Sequence, residues 1–170
     1  MTTLAVSRRG RLDVAGTVVR LGLAAVWFVS GSIKAADLEQ TWGAVHAYQL
    51  LPDPLVKAVA GVLPWFELAL GLLLLLGVGT RLVAAISAGV LVLFMAAVTQ
   101  AWARGLSIDC GCFGGGGTVA PDATSYGTEL LRDTGFVVLA VWLVIRPRSW
   151  LALDGVLAPD DDASPGRGGS

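Results

Sequence analysis

Charge and cysteine are what this chain of 170 residues has least of: 15% of its residues are charged, twelve basic against thirteen acidic, and two are cysteine. So small a charged fraction beside 55% apolar residues does not suit an ordinary soluble domain and points to insertion in a lipid bilayer. The near-zero net charge leaves no field to recruit nucleic acid, and no basic stripe interleaved with aromatics occurs, so nucleic acid is excluded as a partner. Two cysteines one residue apart cannot build a multi-disulfide framework or supply four ligands to a closed zinc or iron–sulfur site. A single histidine and two methionines leave a soft-metal site such as Cu(I) short of ligands, and no metal is expected.

What the chain does have is apolar length. Runs at 18–36, 55–77, 82–103 and 127–145 each approach the roughly 20 residues that a helix needs to cross a bilayer. The first two turns of the last run hold Glu129, Arg132 and Asp133, which suits the headgroup level and leaves Thr134 to Ile145 as its apolar part. Lys34 just before Ala35-Ala36, with three further runs following, argues for a retained span over a cleaved signal peptide. Between the first two spans Leu38, Trp42, Val45 and Gln49 recur at helical spacing, which predicts a short helix lying in the interface. Val78-Gly79-Thr80 is a tight turn that makes spans two and three antiparallel neighbours.

The predicted architecture is all-α: an integral membrane four-helix bundle with that interfacial helix and a cysteine-containing outer loop between spans three and four. Residues 1–17 form a basic leading segment, 18–145 the bundle, and 146–170 a polar, disordered tail. Arg8, Arg9, Arg11, Arg81, Arg146 and Arg148 fall on one side of the spans, which basic flanks mark as cytoplasmic. Both termini are then expected inside a bacterial plasma membrane. The cysteine loop faces outward, where disulfides form and persist.

Cys110-Gly111-Cys112, followed by Phe113 and four glycines, is the chemical motif. Cysteines separated by one residue close a ring only with distorted torsions, and such a disulfide is easily reduced. The motif reads as an exchange-active redox pair; a static clip, or a pair of thiolates holding Cu(I), are the other readings. Moving a disulfide requires a second thiol pair, which the chain lacks. Electrons must pass to or from another molecule, either a thioredoxin-like exported protein or a membrane quinone.

Glu67 falls near the middle of span two, where a carboxylate is expensive unless paired or wetted; Arg20, Lys34 and Gln100 are its candidate partners. It serves either function or plain interhelical hydrogen bonding. Lys34 and Arg20 stand near opposite ends of span one, a position that also suits snorkelling to the interfaces. His46 is a candidate proton shuttle or thiol activator, or a solvated residue on the interfacial helix.

Phe28-Val-Ser-Gly-Ser-Ile-Lys34, Tyr48-Gln-Leu-Leu-Pro52 and Pro64-Trp-Phe-Glu67-Leu-Ala-Leu-Gly71 resemble the DoxX/MauE group of small membrane proteins. Cys110-Gly-Cys-Phe-Gly114 with Leu130-Leu-Arg-Asp133 narrows the resemblance to its MauE, or methylamine-utilisation, branch, over about residues 18–145. The resemblance implies a four-helix membrane protein needed to mature the disulfide-rich small subunit of methylamine dehydrogenase, beside a thioredoxin-like accessory protein. The branch is also similar to four-helix quinone-linked disulfide oxidases, which carry additional cysteines that this chain lacks. The expected function is a membrane thiol–disulfide relay serving an exported disulfide-containing client, with Cys110 and Cys112 as redox pair and Glu67, Lys34 and His46 in supporting roles. A scaffold for the thioredoxin-like partner and, further off, a small-solute or copper transporter are the alternatives.

Overall fold

The computed structural model describes residues 2–111, 113 and 115–147, with backbone alone for 2–9 and 11. Cys112 and the expected tail from 148 onward lie outside the described residues. The chain forms α1 (Thr2–Ala36), α2 (Leu38–Ala47), α3 (Asp53–Leu76), α4 (Thr80–Ala103), strands β1 (Ile108–Asp109) and β2 (Gly117–Thr118), a 3-10 turn at Pro121–Ala123, and α5 (Tyr126–Ile145). Stretches Leu12–Ala36, Asp53–Leu76 and Thr80–Ala103 are long and apolar enough to cross a membrane. α5 has the length of a fourth crossing, with its charges confined to the first two turns. The protein is an all-α, multi-pass membrane protein. α1 runs unbroken from Thr2, so the basic leading segment and the first span are one helix.

Local chemistry sets the ends of these helices. Asp37 caps α2, its side chain accepting from Gln40 N–H at 2.8 Å, which supplies one of the donors a helix start leaves unpaired. Gly77 ends α3 at φ 67°, where a side chain would be strained, and Val78 N–H closes back on Leu73 O at 3.1 Å. Gly79, at φ 58°, completes the tight turn into α4.

Helix α1 packs most extensively on α3, and α4 on α5. The α1–α3 contact is close because small residues line it: a Cβ at Gly31 would fall 2.9 Å from Pro64 O, and one at Gly71 would fall 3.1 Å from the Phe28 ring. Close backbone approach through small residues is how membrane helices gain packing without a hydrophobic driving force. The two pairs share a core of Leu23 and Trp27 from α1, Leu70 and Leu74 from α3, Leu91 from α4 and Leu143 from α5. Trp27 Nε1 donates to Ser87 Oγ at 3.0 Å, joining α1 to α4. Outward the surface is apolar, with Val62, Leu82 and Leu93 each more than 60% exposed. In water such a belt would be an aggregation surface; around this bundle it faces lipid.

Candidate functional site

Polar groups gather inside the bundle. Glu67, on the buried face of α3, has no exposed surface. Lys34 Nζ lies 3.0 Å from both of its carboxylate oxygens, and the Ser30 hydroxyl donates to Oε2 at 2.9 Å. Thus, of the three candidate partners, Lys34 is the one that meets Glu67. The same ammonium donates to Ser30 Oγ and stands 6.0 Å from the centre of the Phe94 ring.

Snorkelling, expected for Lys34 and Arg20, does not occur. Arg20 is buried and donates to Leu74 O at 2.7 Å and Leu75 O at 2.9 Å. It adds a charged donor to the last turn of α3, where Leu74 O also accepts from Gly77 N–H at 3.2 Å, and its charge suits the negative end of that helix. Both side chains have internal partners of opposite polarity, which outweigh the route to the interface.

Cys110 and Gly111 sit above this interior, at the tip of a ribbon that the all-α expectation did not contain. Ile108 pairs with Thr118 and Asp109 with Gly117, closing the loop at its base. Tyr126, at the start of α5, ties the ribbon down: its hydroxyl donates to Leu106 O and accepts from Ile108 N–H at 3.0 Å. From α2, Tyr48 donates its hydroxyl to Cys110 O at 3.2 Å.

Gly111 and Gly116 have φ of 69° and 95°, and Cβ atoms there would fall 2.9 and 2.6 Å from the Ala44 methyl. These two glycines therefore seat the loop tightly on α2. Their role is close approach at positive φ, not looseness.

Three polar side chains converge on Cys110. Arg132 Nη2 lies 4.0 Å from Cys110 Sγ, and its guanidinium lies 4.6 Å from the centre of the Phe113 ring. Phe113 in turn meets Phe136 at 6.3 Å, so the loop is also braced against α5. Glu129 is buried, with a carboxylate oxygen close to the Cys110 sulfur. Ligand atoms of Asp109, Cys110 and Glu129 lie within 4.8 Å of one another, a spacing that a metal ion could bridge. In this structure the cation facing that sulfur is Arg132.

His46 is placed elsewhere. It stacks on Trp42 at 5.0 Å and its Nε2 lies 3.3 Å from Asp53 Oδ1, on the half-exposed side of α2. Lys34 and Cys110 are brought together in another sense, since both line a cavity of about 150 Å³ between α1 to α4 and the loop. Most of its other walls, including Val59, Leu63, Phe94 and Ala97, are apolar. Glu129 and Arg132 were not among the residues that the sequence singled out for chemistry. Their signal was present, as a carboxylate and a guanidinium three residues apart on one helical face, in the segment that follows the Cys-Gly-Cys motif.

A lipid-facing bundle, a buried ion pair within it and a cysteine loop clamped over one end define a small multi-pass membrane protein built around a thiol motif. Comparison with known proteins gives the family. The family described as methylamine utilisation protein MauE matches residues 12–146, and the chain belongs to it. The methylamine utilization protein MauE of Methylorubrum extorquens is 38% identical over 104 residues, 61% of this chain and 56% of the relative. That of Methylophilus methylotrophus is 38% identical over 80 residues, 46% and 42% of the two chains, and that of Paracoccus denitrificans 33% over 99 residues, 58% and 53%. The chain spans about half the length of the curated relatives it matches. No solved structure matches it.

Proposed function

We propose that this protein is a membrane thiol–disulfide relay that supports disulfide formation in exported proteins, with a thioredoxin-like exported protein as its exchange partner. The observation that carries this reading is the setting of Cys110: a thiol in a Cys-Gly-Cys loop, held by Tyr48 and Tyr126 and faced by Arg132 and Glu129. A merely structural cysteine is usually a small buried hydrophobe, whereas Cys110 is partly exposed and has a guanidinium 4.0 Å from its sulfur, a neighbour of the kind that activates thiols.

In the exchange, a partner thiolate attacks one sulfur of the Cys110–Cys112 disulfide. A mixed disulfide forms and the other cysteine leaves as a thiolate that takes up a proton. The partner's second thiolate then displaces the first cysteine, so the partner departs oxidised and two electrons remain in the Cys110–Cys112 pair. Glu67 and Lys34 hold the interior beneath the loop, and His46 remains on the α2 surface. The arginine asymmetry across the spans supports an outward loop in the bacterial plasma membrane, with both termini cytoplasmic. The relatives' names point to methylamine metabolism as the context of the client.

A membrane quinone is the other acceptor open to those electrons, and Leu63, Phe94 and Ala97 in the apolar cavity beneath the loop are the residues that would meet its ring. A quinone bound there would supply a two-electron acceptor.

The test is thiol trapping in membranes combined with a Cys110→Ser, Cys112→Ser double variant. The relay reading expects the pair to cycle between reduced and oxidised forms while a client matures. It expects the double variant, at normal abundance, to stop that maturation. A double variant that still supports maturation means a scaffold for the thioredoxin-like partner instead.

A further inference from the structure

We infer that Cys110 is the sulfur that carries the thiolate in exchange, with Glu129 as its proton acceptor and Arg132 as the cation that holds it. This rests on the relay reading and deepens it, since the motif alone does not say which cysteine reacts first.

The geometry separates three jobs. A Glu129 carboxylate oxygen lies within 4.8 Å of the Cys110 sulfur, so the path for the thiol proton is short: the S–H bond breaks, the proton joins the carboxylate, and the charge moves onto sulfur. Arg132, 4.0 Å from that sulfur, attracts the new charge. Its own orientation is fixed from two sides, by the Phe113 ring at 4.6 Å and by Asp133, whose Oδ1 accepts from Arg132 Nε at 3.0 Å. When the disulfide is attacked by a partner, the same step runs in reverse: Cys110 leaves as a thiolate against Arg132 and collects the proton from Glu129.

Every charged group around the sulfur enters this balance. Asp109 on β1 adds a second carboxylate within 4.8 Å of both Cys110 and Glu129, although Gly111 N–H donates to it at 3.2 Å and satisfies part of its charge. From α5 come Glu129, Arg132 and Asp133. From α2 comes the Tyr48 hydroxyl, spent on Cys110 O, and from α1 comes Lys34, across the cavity and engaged with Glu67. Two carboxylates so near one sulfur would raise the cost of a thiolate. A buried Glu129 that takes the proton removes one of those charges at the moment the thiolate forms. Thiol and carboxyl then titrate as one coupled unit.

The experiment uses the full chain in membranes with Cys112→Ser, which leaves Cys110 as the single cysteine, and follows its alkylation rate by iodoacetamide from pH 4.5 to 10.5. Because alkylation needs no partner, its outcome is separate from whether the protein is a relay. The expected profile has two steps with a plateau between them, as a shared proton requires. Glu129→Gln collapses it to one step. Arg132→Gln moves the steps up by about one unit, in line with the loss of a nearby opposite charge, and Arg132→Lys recovers part of that shift. A purely structural role for Arg132 and Glu129 would change abundance without changing the profile. A single step at about pH 8.5, the value of an ordinary thiol, already in the parent Cys112→Ser protein would overturn the inference, as would a two-step profile that Glu129→Gln leaves intact.

Discussion

Replacing Lys34 by methionine strands a carboxylate. Glu67 has no exposed surface and takes two of its three hydrogen bonds from Lys34, leaving the Ser30 hydroxyl alone once the ammonium is gone. Removing one partner of a buried ion pair costs about 3–5 kcal/mol, because the remaining charge is uncompensated. At about 1.4 kcal/mol per factor of ten, that lowers the folded-to-unfolded ratio on the order of one hundred- to several thousandfold. Such a loss is a large share of a typical total stability of about 5–15 kcal/mol. Glu67→Gln should cost less, since Lys34 lines the cavity and its long stem can carry the ammonium toward the opening. The double variant Lys34→Met, Glu67→Leu removes both charges and should regain most of the loss. Steady-state abundance in membranes, and the temperature at which half of the detergent-solubilised pool aggregates, rank the four proteins. The reasoning is refuted if Lys34→Met matches the parent, or if the double variant is no more stable than Lys34→Met.

Arg20→Met leaves the Leu74 and Leu75 carbonyls without their charged donor, at about 1.5–3 kcal/mol for hydrogen bonds to a charged group; the same aggregation assay should show the drop, with Arg20→Lys in between. Gly111→Ala places a side chain at φ 69° and 2.9 Å from the Ala44 methyl, costing about 1–2 kcal/mol from the backbone alone. It should speed alkylation of Cys110 as the loop lifts from α2, and adding Ala44→Gly should recover the part due to contact but not the part due to φ.

The spans were legible because length and apolar content are read one residue at a time. The expected starts and ends of the second to fourth runs fall within about two residues of α3, α4 and α5. Pairing across helices is another matter. That Glu67 meets Lys34 and not Arg20 depends on the register between α1 and α3, which Gly31 and Gly71 set by close approach, and periodicity within one helix carries no such information. Arg20 was read by its position near a span end, which could not reveal the Leu74 and Leu75 carbonyls of α3 beside it. Glu129 and Arg132 read as headgroup-level charges at the start of the fourth run. Only the folding of the ribbon onto Tyr126 shows them to be the surroundings of Cys110. The ribbon itself, two residues to a strand within a glycine run, has too short an alternation to register as sheet.

The seating of Gly111 and Gly116 on one methyl group has a mechanical consequence. The loop touches the bundle through α5, but its height is indexed to Ala44, on a ten-residue helix whose Leu38 and Trp42 are turned outward. That helix is itself tied to the first span, the Thr41 hydroxyl donating to Lys34 O at 3.0 Å. The sulfur thus rests on a platform from α2 while Glu129 and Arg132 come from α5, and the distance between thiol and cation is set by how those two helices are held against each other.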